Sequence, residues 1–373
     1  MATALEDIKI LDFSRVLAGP LATMVLADLG AEVIKIERPN IGDDTRAWGP
    51  PYDERGEATY FQSVNRNKTA EAIDLTTPAG AARARQLAST ADVVVENFRP
   101  GVMQKLGLDY ATLRQSNEGL VYCSITGFGA GEGAALPGYD LLVQAVGGLM
   151  SITGTPDGEP QKAGVALVDV ITGLFAAVGI LAALRHRERT GEGQIVEVDL
   201  LSCLLAALVN QGSAYTLAGA IGGRLGNAHP SIAPYELYPT GQGDLVLAVG
   251  NDKQFASLCT VVGLDLDPRF ATNALRVENR DALREVLVTA LAGRSASEWV
   301  SSLSEVGVPA GQVNDIAGAF AFADSLGLQP TITVPREDGS VARLTRNPIT
   351  MSATPPTYRS APPPLPVESN AGS

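Results

Sequence analysis

Six short strand-like runs recur between residues 8 and 199, separated by helical or turn-rich segments. They are IKILDF at 8–13, AEVIKIE at 31–37, residues 70–75, ADVVVENF at 91–98, LVYCSITGFG at 120–129 and QIVEVD at 194–199. Apolar strands that alternate with helices imply a mostly parallel sheet covered on both faces. The fold class expected is α/β with a Rossmann-like sheet. After IKILDF the chain turns through SRVLAGP, and LATMVLADLG reads as a helix ending at Gly30 before AEVIKIE. That is a β-turn-α-β unit. A dinucleotide site would place GxGxxG in this turn. Leu17-Ala18-Gly19-Pro20 stands there instead, so NAD binding is not expected, although Glu37 ends the second strand as a ribose-binding acid would.

Ligands of such sheets bind beyond the carboxyl ends of the strands. Arg15, Arg38, Asn97-Phe98-Arg99 and, a little further on, Lys105 follow those ends. Each cation alone reads as solvated surface charge; together they suggest a polyphosphate site. The net charge of −13 argues against nucleic acid and anionic membranes as partners. Cys123, Cys203 and Cys259 lie far apart with no metal-ligand spacing, and the only histidines are His186 and His229. No metal site, disulfide framework or Ser-His-Asp triad is expected, and the thiols suit a cytoplasmic location. MATALEDIKILDF lacks the basic and apolar regions of a signal peptide.

Residues 138–193 are the least ordinary stretch. Asp169 is the only charge between Lys162 and Arg185. An apolar segment follows, interrupted by Thr172, Gly173 and Gly179 and basic at its end, which reads as a buried helix rather than a membrane span. Asp169 thus sits where a helix begins. It is either an N-cap or a carboxylate kept ionised by the helix terminus and dry enough to attack an electrophile. Position alone leaves both open.

Further on, residues 200–217 read as one apolar helix and 218–230 as a glycine-rich linker. From residue 231 the pattern changes to an α+β unit: YELYPTG and GDLVLAVG as strands, then helices at DKQFASLCTVVG, 276–292 and 296–306, and a turn at VPAGQVND. ITVPRED and GSVARLTRNPITMSATPP suggest a hairpin returning to the first domain, followed by a proline-rich tail. The domains expected are 1–229, large and Rossmann-like with its linker; 230–328, small and α+β; and 329–373, the return and tail.

Several ordered motifs resemble one family over nearly the whole chain. They are DFSRVLAGPLATMVLADLGAEVIKIERP, ENFRPG at 96–101, YCSITGFG at 122–129, GYD at 138–140, VDVITGLFAA around Asp169, RTGEGQ at 189–194 and NPITMSATPP at 347–356. They are similar to the class III CoA-transferases, of the formyl-CoA and carnitine type, whose sister enzymes are alpha-methylacyl-CoA racemases. The resemblance implies a large domain built from both terminal parts, a smaller domain between them, and two chains interlocked as a homodimer. It implies that Asp169 attacks a donor acyl-CoA and relays CoA to a free carboxylic acid through covalent aspartyl intermediates. It implies no tightly bound cofactor, with coenzyme A as substrate and product. CoA would be held by Arg15, Val16, Ala18, Arg38, Ile73, Asn97, Phe98, Arg99 and Lys105.

Two departures bear on substrate. Leu17 replaces a glutamine of the formyl-CoA enzymes, and their run of four glycines is missing, with Gly250-Asn251 the nearest candidate for its catalytic role; formate and oxalate are therefore disfavoured. The racemase alternative needs a base on each face of the α-carbon. Tyr139 stands where racemases carry histidine, and a phenol with an ordinary pKa near 10 is a poor base. Tyr139 is expected to line the thiol end and donate a hydrogen bond. Succinyl-CoA is the donor expected, and Arg46, Arg66 or Arg224 are candidates to pair with a distal carboxylate.

Overall fold

The computed structural model describes residues 3–366. The chain divides into two units: Met1–Leu149, Lys162–Ala220 and Gln329–Ser373 form the first, and Met150–Gln161 with Ile221–Leu328 the second. The sequence placed 150–161 and 221–229 with the large domain; they cluster instead with the second unit, where the Arg224 guanidinium donates to the carbonyls of Thr155, Pro156 and Gly158. Part of the proline-rich tail, from residue 367, lies outside the described residues.

The first unit is built on six parallel strands: β1 Lys9–Asp12, β2 Glu32–Glu37, β3 Lys68–Ala72, β4 Val93–Glu96, β5 Val121–Thr126 and β6 Ile195–Asp199. They lie in the order β3-β2-β1-β4-β5-β6. The chain leaves β1 toward one edge and β4 toward the other, which opens a crevice between their carboxyl ends. Residues alternate between two cores. Ile10, Val93, Val95, Val121, Cys123 and Ile125 pack on one face with helices Ala18–Asp28 and Leu167–Thr190. Leu11, Val94 and Tyr122 pack on the other with helix Pro78–Ala88. Burial on both faces explains why these strands are near-continuous apolar runs.

β3 begins two residues before the expected position, because Lys68 pairs with Val33 in the ladder and is fully buried against Asp12. A lysine inside a strand is not legible until its buried partner is known. The helix read at 200–217 is two, Leu200–Ala207 and Val209–Ala218, bent by 84° at Val209, whose φ is 40°. No proline or glycine marks that break. The C-terminal hairpin forms as β10 Thr331–Pro335 and β11 Val341–Thr345, antiparallel, within the first unit.

The second unit carries an antiparallel sheet of β7 Tyr235–Pro239, β8 Asp244–Ala248 and β9 Ala310–Gln312. β9 occupies the segment read as a turn. The helix read at 276–292 breaks at Asn279 into Asn273–Glu278 and Arg280–Leu291. There Arg276 turns into the core, donating to the Ala233 and Phe270 carbonyls and to Asp252.

Candidate active site

The helix Leu167–Thr190 places Asp169 in its first turn. Asp169 is not the N-cap: Ala166 holds that position, with no side-chain cap of its own. The cap comes from another helix. Asp140 accepts from the N–H of Val168 at 2.8 Å and of Asp169 at 3.3 Å, while its second oxygen accepts from Gln144 Nε2 at 2.6 Å. The 138–140 motif can reach this point because Gly127 and Gly138 pass in contact: a Cβ on Gly127 would lie 2.4 Å from the Gly138 Cα. Gly173 does the same for the helix. Its absent Cβ would meet the Ala18 carbonyl oxygen at 2.6 Å, so the two helices cross closely and bring Asp169 to the turn after β1.

Asp169 lines a cleft of about 230 Å³ together with Arg15, Leu17, Asn97, Tyr139 and Asp140. Burial, and then the neighbouring Asp140 carboxylate, push its pKa up to about 7. Such a carboxylate is poorly solvated and correspondingly reactive once ionised. Leu17 and Ala18 also line the cleft as the N-cap and first residue of helix Ala18–Asp28. A helix cannot pair the N–H groups of its first turn, so these donors suit a developing oxyanion. Tyr60, which sequence reading missed, stands within the field of both acids: its pKa is raised by burial first, then by Asp169 and Asp140.

A second cleft, also about 230 Å³, is lined by Arg15, Arg38, Ile73, Phe98, Val102 and Leu106 among others. Arg15 and Phe98 line both clefts, and the Arg15 guanidinium lies 5.1 Å from the Phe98 ring centre. The pair therefore offers a groove with an acid at one end and apolar walls under two arginines at the other. Asn97 fixes its hinge. Its Oδ1 accepts from Arg15 N–H at 2.9 Å and its Nδ2 donates to the Arg15 carbonyl at 2.7 Å. Arg99 and Val16 line the Asp169 cleft.

Of the residues expected to hold CoA, Lys105 alone is not part of either lining. It is exposed on helix Val102–Leu106, whose Val102 and Leu106 face the second cleft instead. Gly250 and Asn251 belong to the second unit, where Asn251 caps helix Asp252–Val262 and the Gly250 N–H donates to Gln254. Arg46 and Arg66 are committed to structure: Arg46 forks onto Glu37 at 2.7 Å, and Arg66 onto Asp28 at 2.5 and 2.9 Å. The same fork explains Glu37, which also accepts the Asp43 N–H. Among the described residues, no group of three or more His, Cys, Asp or Glu side chains is placed to hold a metal ion.

Comparison with known proteins gives a consistent result. The model of CoA-transferase family III matches residues 5–368. The succinate–glutarate CoA-transferase of Agrobacterium fabrum is 45% identical over 370 residues, covering 97% of this chain and 92% of that protein. The human succinyl-CoA:glutarate CoA-transferase is 43% identical over 321 residues, covering 85% and 73%. Among solved structures, a CAIB/BAIF family protein from Brucella suis superposes with a TM-score of 0.87 at 42% identity, over 98% of this chain and 97% of that one.

Proposed function

The chain belongs to CoA-transferase family III, and from that premise we propose that it moves CoA from succinyl-CoA to a short dicarboxylic acid through covalent intermediates on Asp169. The observation that carries the proposal is an Asp169 carboxyl raised to about 7 in a cleft shared with the Leu17 and Ala18 turn. An Asp169 oxygen attacks the thioester carbonyl; the C–O bond forms, the C–S bond breaks, and CoA leaves as thiolate. The thiolate attacks the Asp169 acyl carbon of the mixed anhydride and expels the donor acid as carboxylate, leaving an aspartyl-CoA thioester. The acceptor carboxylate repeats the attack on that thioester, and the thiolate then takes the acceptor acyl group, restoring Asp169. No net proton is consumed, so an acid–base partner is needed only to orient and to stabilise each oxyanion. Asp140 orients the helix start, and Tyr139, 66% exposed at the mouth, is assigned a hydrogen bond to the thiol end.

Arg15 and Arg38 hold the CoA phosphates and Ile73 walls the adenine, with Val16, Ala18, Asn97, Phe98 and Arg99 along the pantetheine path; Lys105 adds charge from the rim. Glutarate is the leading acceptor, since it is the acid named in both relatives above. We further infer a homodimer, interlocked as the family resemblance implies. Leu174, Phe175, Val178 and Leu181 on the outer side of helix Leu167–Thr190 are exposed, Val178 by 63%, and an apolar row of this kind is suited to a second copy. The test is transfer itself: succinyl-CoA is incubated with glutarate and with other short dicarboxylates, and new acyl-CoA is measured by mass. Formation of glutaryl-CoA with loss of succinyl-CoA supports the reading; deuterium exchange at the α-carbon of a branched acyl-CoA without transfer would move the assignment to racemase.

A further inference from the structure

Under the turn that carries Arg15, Val16 and Leu17 lie two carboxylates and two ammonium groups: Asp12 and Lys35, each 0% exposed, and Asp43 and Lys68, each 2% exposed. They are paired, Lys68 with Asp12 at 3.1 Å and Lys35 with Asp43 at 3.0 Å. Against their burial, Asp12 and Asp43 are held below the usual carboxylate range by these lysines and by nearby hydrogen bonds, and Lys35 is held up by Asp12 and Asp43. Burial pulls Lys68 down to about 8, so all four remain charged at neutral pH.

A buried ion network adds little stability over apolar residues of the same volume. This one has another property: its hydrogen bonds converge on the backbone of one turn. Asp12 accepts from Ser14 N–H at 2.9 Å, and Lys35 donates to the Ser14 carbonyl at 2.7 Å. Asp43 accepts from Val16 N–H with both oxygens at 3.3 Å. Lys68 donates to the Pro20 carbonyl at 2.9 Å. Val16 needs that hold, because its φ of 69° is left-handed, a region that β-branched residues avoid.

We propose that Asp43 and Lys35 are positioning residues for transfer, holding Val16 left-handed so that the Leu17 and Ala18 N–H groups face the cleft of Asp169. The proposal rests on the covalent reading of Asp169. The network acts on the rate because oxyanion donors lose most of their effect when misaimed, whereas Arg38 lies outside this turn and the Arg15 backbone is held separately by Asn97.

The test measures kcat, KM for succinyl-CoA and melting temperature for Asp43→Ala, Asp43→Asn and Asp43→Ala combined with Val16→Gly. Asp43→Ala is expected to lower kcat about 100-fold, the scale of one lost oxyanion donor, with KM changed by less than about threefold. Glycine adopts a positive φ without strain, so Val16→Gly in the alanine background is expected to restore kcat by about tenfold. Asp43→Asn is isosteric, keeps one acceptor for Val16, and is expected to retain more activity than alanine; it also serves where alanine does not fold. A drop in melting temperature with unchanged kcat, or no rescue by Val16→Gly, overturns the proposal. Asp169→Ala runs in parallel: if it still transfers CoA, the covalent reading fails whatever Asp43 does.

Discussion

Replacing Asp169 by Asn should abolish transfer and stabilise the protein. Asp169 has an ordinary pKa of 3.8 and is raised to about 7 in the fold, first by burial and then by Asp140. A shift of about three units is roughly 4 kcal/mol. The sign follows from which state binds the proton more tightly. The folded state does, so folding is least burdened below the unfolded value near 4 and loses stability as pH rises toward 7. Asn is neutral throughout, so the gain from substitution is near zero at pH 4 and full above pH 7. One term opposes it: a negative charge in the first helical turn is worth about 0.5 kcal/mol, and Asn forfeits it. Residual solvent access also reduces the burial cost. The net expectation is about 2–3 kcal/mol, or roughly 3–6 °C in melting temperature for a chain of this length. Thermal melts of both proteins at pH 5 and pH 8 read this directly. A variant no more stable than the parent at pH 8, or equally stabilised at both pH values, would refute the argument that Asp169 is a desolvated carboxylate.

The other predictions concern neighbouring parts of the same site. With Asp169 ionising near 7, kcat should rise with pH through that value, and Asp140→Asn should move the rising limb to lower pH by removing the like charge; a pH–rate profile checks both. Arg38→Met should raise KM for acyl-CoA about tenfold with little change in kcat, since a phosphate contact is kept through every step. Steady-state kinetics in which kcat falls instead would place Arg38 in the chemistry. Arg66→Met should cost about 3–5 kcal/mol of stability by stranding buried Asp28; an intact melting temperature with weakened acceptor KM would revive Arg66 as a carboxylate anchor. Gly173→Val should lower the melting temperature by several degrees, because the Ala18 carbonyl fills the space its Cβ requires.

The apolar strands and the β-turn-α-β opening made the parallel sheet legible, since burial on both faces leaves a local signature. The arginines past β1 and β2, and the Asn97–Arg99 segment past β4, were legible for a related reason: strand ends in such a sheet share one edge. What escaped depends on partners distant in sequence. Lys68 looked like loop because its charge is balanced by Asp12, 56 residues away. Position alone left Asp169 open between a helix cap and a reactive carboxylate, because the cap is supplied by Asp140 from 29 residues upstream. Tyr60 carried no motif at all, and only the fold brings it within the field of Asp169 and Asp140. Arg46 and Arg66 show the converse: guanidinium groups that the sequence offers to a substrate are consumed by Glu37 and Asp28.

The most direct test is to catch the aspartyl intermediate. The protein is incubated with succinyl-CoA, quenched with hydroxylamine and digested, and the peptide bearing Asp169 is weighed. The account predicts a hydroxamate at Asp169, absent without acyl-CoA and absent when glutarate has discharged the enzyme. Rapid CoA transfer with an unmodified Asp169 peptide would contradict it.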